Sequence, residues 1–261
     1  MSQVDKESLE KLLVFITEIC EDENNGWFRE KLISTVYKSS KGSKNIDSIY
    51  EYCVKEVIKD QALKFYKDFK LTEIKSKLID DFIRMEQFKR EDNFEDFCLA
   101  MFQQVENIVT HLYSKYNLNL KVTSDSNLYL ISRYNSTQNK FIRDKRGLQI
   151  GHFIFQKYKE RGPINVETQT WYYSNKFRAV LLYYYFNNKI EYDTKKFDAM
   201  YNIANELYQM RNLNHRGSEL SSYQEKMVNK IIPNYNRYYF RFLGFLEDLI
   251  TGINNNLPVQ V

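Results

Sequence analysis

Apolar residues recur along most of this chain at intervals of three and four, the spacing that lines one face of an α-helix. Leu9, Leu12, Leu13, Ile16, Ile19 and Cys20 form the first such stripe, which the polar run EDENNG ends before a second helix begins near Gly26. A small and polar stretch, KSSKGSKN, then leads to Asn45 as the N-cap of a helix carrying Ile46, Ile49, Tyr50, Cys53, Val57 and Ile58. From Asp92 the pattern is clearest, with Phe94, Phe97, Cys98, Met101, Val105, Ile108, Val109 and Leu112 predicting a central core helix. Between Leu118 and Thr170 the periodicity breaks: LNLKVTSDSNLYLIS alternates, glycines and a proline appear, and KFIRDKRG is basic. This stretch is expected to be an irregular insertion that holds a short hairpin. Helical spacing resumes at Phe177, Val180, Leu181 and Tyr184, again from Thr194, and finally from about Asn234 through Tyr238, Phe242, Phe245 and Leu249.

The predicted class is all-α, with an N-terminal helical subdomain over 1–80 and a helical domain over 90–255 interrupted by the insertion at about 118–170. Composition agrees with long helices, because only 8 glycines and 3 prolines leave too few turn residues for a sandwich or barrel. No run of apolar residues is long enough to span a bilayer, and the charges in MSQVDKESLEKLL predict no secretory leader, so a cytoplasmic protein with no membrane partner is expected. The three cysteines, Cys20, Cys53 and Cys98, are scattered among apolar neighbours and read as small core residues. With three histidines and neither CxxC nor HExxH spacing, no metal site and no cofactor is expected.

The predicted helix from Thr194 places Phe197, Met200, Tyr201, Ala204, Leu207 and Tyr208 on one face, and continuing the same period reaches Arg211 and then His215. A guanidinium on an apolar stripe needs a partner or a water-filled cleft. One explanation is a phosphate site, where Arg211 donates a forked pair of hydrogen bonds and His215 exchanges protons near neutral pH. The other is a helix end in which His215 meets the terminal carbonyls and Arg211 pairs with a core carboxylate such as Glu106 or Glu206.

The residues MRNLNHRG resemble the signature of HEPN ribonucleases, an arginine, a polar residue and then a histidine at the end of the third helix of a four-helix up-and-down bundle. EDNFEDFCLAMFQQVENIVTHLYSKY looks like the first helix of that bundle, Phe177–Phe186 the second, Phe197–His215 the third and Tyr235–Ile253 the fourth. The interval between Arg211 and His215 is shorter than is usual in the family, yet on a helix it keeps both on one face. A second pair, Arg146 and His152 in RGLQIGH, lies in a stretch without helical pattern. The resemblance implies RNA cleavage without a metal, with Arg211, His215 and Asn212 as catalytic residues and Asn214 beside them. It further implies an RNA partner, a homodimer with a composite active site, and a place in bacterial defence beside an antitoxin or activator. Arg216 and the basic run with Lys145 and Arg146 would meet the RNA backbone, and the cluster NYNRYYFRF would either stack on bases or pack as a helix. A non-catalytic helical interaction module, or one that binds RNA or a nucleotide without cutting, is the competing expectation. Net charge of +4 permits nucleic-acid binding without requiring it.

Overall fold

The computed structural model describes residues 6–21, 25–39, 44–135, 137–138, 140–160, 162–187, 194–213 and 221–257. Two compact units divide between Asp60 and Gln61. The first contains α1 (Lys6–Glu21), α2 (Gly26–Ser39) and most of α3 (Lys44–Phe65). α4 (Thr72–Arg90), whose first half falls within the expected 1–80 subdomain, belongs to the larger unit. Its Leu78, Phe82 and Met85 explain this, because all three are buried in the same apolar cluster as α5 (Phe94–Lys115).

The larger unit is predominantly helical, as the periodicity predicts. Its central helix is α5, whose stripe from Phe94 to Leu112 is buried throughout. Asn93 caps it by accepting a hydrogen bond from the Asp96 amide at 3.2 Å. Glu95 and Asp96 in the first turn and Lys115 in the last match the helix dipole. Against α5 pack α4, α8 (Tyr173–Val180), α9 (Thr194–Leu213) and α11 (Tyr235–Asn256). A π-helical turn, Leu181–Tyr185, extends α8, with the Phe186 amide donating to the Leu181 carbonyl at 2.8 Å. Tyr185 is thereby laid against Gly252 of α11, where a Cβ would overlap its ring, and its hydroxyl donates to Asp248 at 2.8 Å.

The insertion is more regular than expected. Leu118–Asp125 is a short helix, α6, because Leu118 and Val122 are four apart and both buried, which outweighs the apparent alternation. A hairpin does follow: β1 (Tyr129–Asn135) pairs antiparallel with β2 (Lys140–Gln149), from Tyr129 opposite Gln149 to Asn135 opposite Lys140. The register shifts between Leu130 and Ser132, and Gly147 in the longer strand accommodates it at φ +62°, with its missing side chain replaced by the Leu130 carbonyl. α7 (Ile150–Ile154) returns the chain to the core. α10 (Ser222–Ile231) opens with a reciprocal capping box, Ser221 with Gln224, and the Gln224 amide group reaches Gln209 of α9 at 3.2 Å.

Candidate functional site

α9 begins at Thr194 as its pattern predicts and buries Phe197, Met200, Ala204 and Leu207, while Tyr201 and Tyr208 are half-buried on the same side. In the last turn, Arg211 follows Tyr208 by three residues and is also half-buried. Its guanidinium carbon stands 5.1 Å from the centre of the Phe102 ring on α5, and one terminal nitrogen donates to the Asn212 carboxamide oxygen at 3.4 Å. Its Nε is enclosed and, among the described residues, has no acceptor. Neither carboxylate considered from the sequence pairs with it. Glu206 is held by Lys230 at 2.8 Å and Arg241 at 3.1 Å, and no carboxylate among the described residues comes within ion-pair distance of Arg211.

Asn212 is buried, with its side chain beside Arg211 and only 8% of the residue exposed. Asn214, His215 and Arg216 lie outside the described residues. Lys145 is exposed on β2, and Arg146 is on the same strand with its side chain outside what is described. Of the residues predicted from sequence, the structure therefore brings together Arg211 and Asn212. Within NYNRYYFRF, Tyr238 and Tyr239 pack into the core, and Phe240 points outward with 71% exposure.

Beside Arg211 the molecule opens into a cleft of about 370 Å³ between the start of α8 and the middle of α9. Its walls are Tyr172, Tyr173, Phe177, Tyr201 and Tyr208, its floor Ala204, and Ser174 and Asn205 add polar groups. This volume falls within the range of small-molecule sites, which begins at roughly 300 Å³. Tyr173 and Tyr208 stack with ring centres 5.8 Å apart and planes within 11°. Both also touch Phe102, at 4.8 and 5.5 Å, so the ring beneath Arg211 is continuous with the cleft wall. The Tyr173 hydroxyl is enclosed without a hydrogen-bond partner among the described residues. Burial first, and the nearby Glu106 second, push its pKa well up, so it is a neutral phenol that lacks an acceptor. The Asn205 amide nitrogen donates to the Tyr223 hydroxyl at 2.8 Å, which leaves its carbonyl oxygen for another donor. Such a site can stack a planar ring, and Arg211 follows its Tyr208 wall by three residues on the same helix.

Tyr172, Tyr173, Asn205 and Phe102 were not legible as site residues. Tyr201 and Tyr208 on the Arg211 stripe were the available signal, but nothing in local spacing ties them to the start of α8. Arg178 was also missed. Only 2% exposed, it donates from Nε to the Phe153 carbonyl at 2.9 Å and from a terminal nitrogen to the Tyr158 hydroxyl at 2.6 Å, with the faces of Phe153, Phe197 and Tyr201 around it. It fastens the segment after the hairpin to the bundle. His152 lines a separate pocket of about 260 Å³ with Gln149 and Glu160, and burial draws its pKa down. Among the described residues no cluster of three metal-ligating side chains occurs, and no helix is long and apolar enough to cross a membrane. The cysteines are free, Cys98 buried and Cys20 and Cys53 half-buried.

No family model, curated protein or solved structure matches this chain.

Proposed function

We propose that the chain is a HEPN-like endoribonuclease that cleaves RNA at the C-terminal end of α9. The observation that carries this reading is Arg211, a half-buried guanidinium with no carboxylate partner among the described residues, beside an aromatic cleft. A cation so placed has donor capacity left for an anion, and an RNA phosphodiester supplies both the anion and the bases for the cleft.

In the proposed reaction the RNA 2′-hydroxyl loses its proton to a general base and its oxygen attacks the adjacent phosphorus. The bond from phosphorus to the 5′-oxygen breaks, and that oxygen takes up a proton, leaving a 2′,3′-cyclic phosphate and a 5′-hydroxyl. His215 serves as the base or the acid, and Arg211 holds the charge that grows on the phosphoryl oxygens. Asn212 positions the guanidinium through its carboxamide oxygen. Asn214, Arg216, Lys145 and Arg146 contact the RNA backbone. Two chains join their motifs in one composite site, and an antitoxin or activator of a bacterial defence system controls it.

The burial of Asn212 favours a second reading, a bundle that binds RNA or a nucleotide without cutting, since an enclosed carboxamide serves structure as well as it serves a substrate. Incubating the full chain with structured and unstructured RNAs separates the two. The nuclease reading expects cyclic-phosphate products, reduced about 100-fold or more in Arg211→Ala and His215→Ala. Cleavage that survives both substitutions, or no cleavage by a dimeric wild-type protein that binds the same RNAs, overturns it.

A further inference from the structure

We infer that the cleft between α8 and α9 is a nucleotide subsite: it holds one unstacked nucleobase against its tyrosine rings and places the adjoining phosphate on Arg211. This deepens the proposed function, because Arg211 serves both.

The cleft is graded from mouth to floor. Of its lining residues Tyr172 is 67% exposed, Tyr173, Tyr201 and Tyr208 are half-buried, and Phe177 and Ala204 are buried. Ala204 is the small residue of its face, lying between the larger Tyr201 and Tyr208, and its size leaves the space. An aliphatic ligand would fit such walls no better than a flat ring, and it would leave the polar groups of the rim unanswered. The Asn205 carbonyl oxygen and the Ser174 hydroxyl offer hydrogen-bond partners to the edge of a base. The Tyr173 hydroxyl, enclosed and unpartnered, is a donor that still lacks its acceptor.

Charge fixes the orientation. Arg211 lies one helical turn beyond Tyr208, over the Phe102 ring that Tyr208 and Tyr173 both touch. Three residues along the helix advance about 4.5 Å, so a nucleotide whose base stacks beside Tyr208 directs its phosphate toward the Arg211 end of the cleft. The chemistry is shared by a free nucleotide and by one residue of a single-stranded RNA, and both are probed.

The test uses the full chain and two probes, adenosine 5′-monophosphate and a fluorescein-labelled single-stranded RNA carrying 2′-O-methyl groups. That strand cannot undergo attack by its own 2′-oxygen, so the readout is binding alone. Tyr172→Ala removes an exposed ring and leaves the core intact, and it is expected to weaken binding about tenfold. Tyr172→Trp keeps a stacking face and is expected to stay within about twofold of wild type. If binding depends on Tyr172 and the mononucleotide displaces the strand, the subsite stands and accepts both sources; if only one probe binds in this Tyr172-dependent way, that probe names the source. If neither probe binds, or if Tyr172→Ala binds both as wild type does, the inference falls. A chain that binds in this Tyr172-dependent way yet cuts no RNA would end the nuclease reading and leave the subsite in place.

Discussion

Arg211 near the C-terminal end of α9 lies over the face of Phe102 on α5, its guanidinium carbon 5.1 Å from the ring centre. The contact satisfies part of the cation's need for negative potential without an ion pair, so the charge stays available to a ligand. Replacing Arg211 with Met keeps the stem's packing and deletes the charge. Its melting temperature is expected to fall by only about 2–4 °C, whereas the slope of log affinity for RNA against log salt drops by about 1. An unchanged salt slope would mean that Arg211 touches no phosphate.

Arg178 is expected to matter for stability rather than for binding. Its hydrogen bonds to the Phe153 carbonyl and the Tyr158 hydroxyl reach α7 and the turn after it, and removing a buried charged donor breaks both. Arg178→Met should cost roughly 3 kcal/mol in urea unfolding. Lysine in its place should lose most of the same stability, because a single ammonium cannot follow the fork that spans Phe153 and Tyr158.

Gly252 gives a packing test. Alanine there overlaps the ring of Tyr185, which is buried and anchored to Asp248, so Gly252→Ala should destabilise by about 1–3 kcal/mol. In a Tyr185→Ala background the same substitution should cost much less. Equal costs in both backgrounds would show that the two residues do not meet as described.

Acidification should weaken the fold through His152. Burial lowers its folded pKa, an effect that Lys157 reinforces and Glu160 opposes, so the unfolded chain binds the proton more readily than the folded one. Stability is therefore lost as pH falls through the unfolded value near about 6.5, and the loss levels off below the folded pKa. His111 is lowered in the same direction by burial, against the pull of Glu73. Thermal melts across this window should show a shallower decline for His152→Gln than for wild type. Identical slopes would remove His152 from the account.

Much of the architecture was determined by local spacing, because a helix that buries one face must repeat its apolar residues every three or four positions. Phe94 to Leu112, Phe197 to Tyr208 and Tyr238 to Leu249 follow that rule, and each run is the core face of the helix it predicts. The rule misled at Leu118–Asp125, where two buried residues four apart decide an element too short for its period to stand out from alternation. The position of Arg211 on an inward stripe was also written in the sequence. What that cation would meet was not, for the ring beneath it comes from α5 and the cleft beside it from α8, brought near by packing of distant segments. Helical periodicity is a property of neighbours along the chain and is fixed by bond geometry; a site assembled from three helices depends on how their faces dock, and only the folded core decides that.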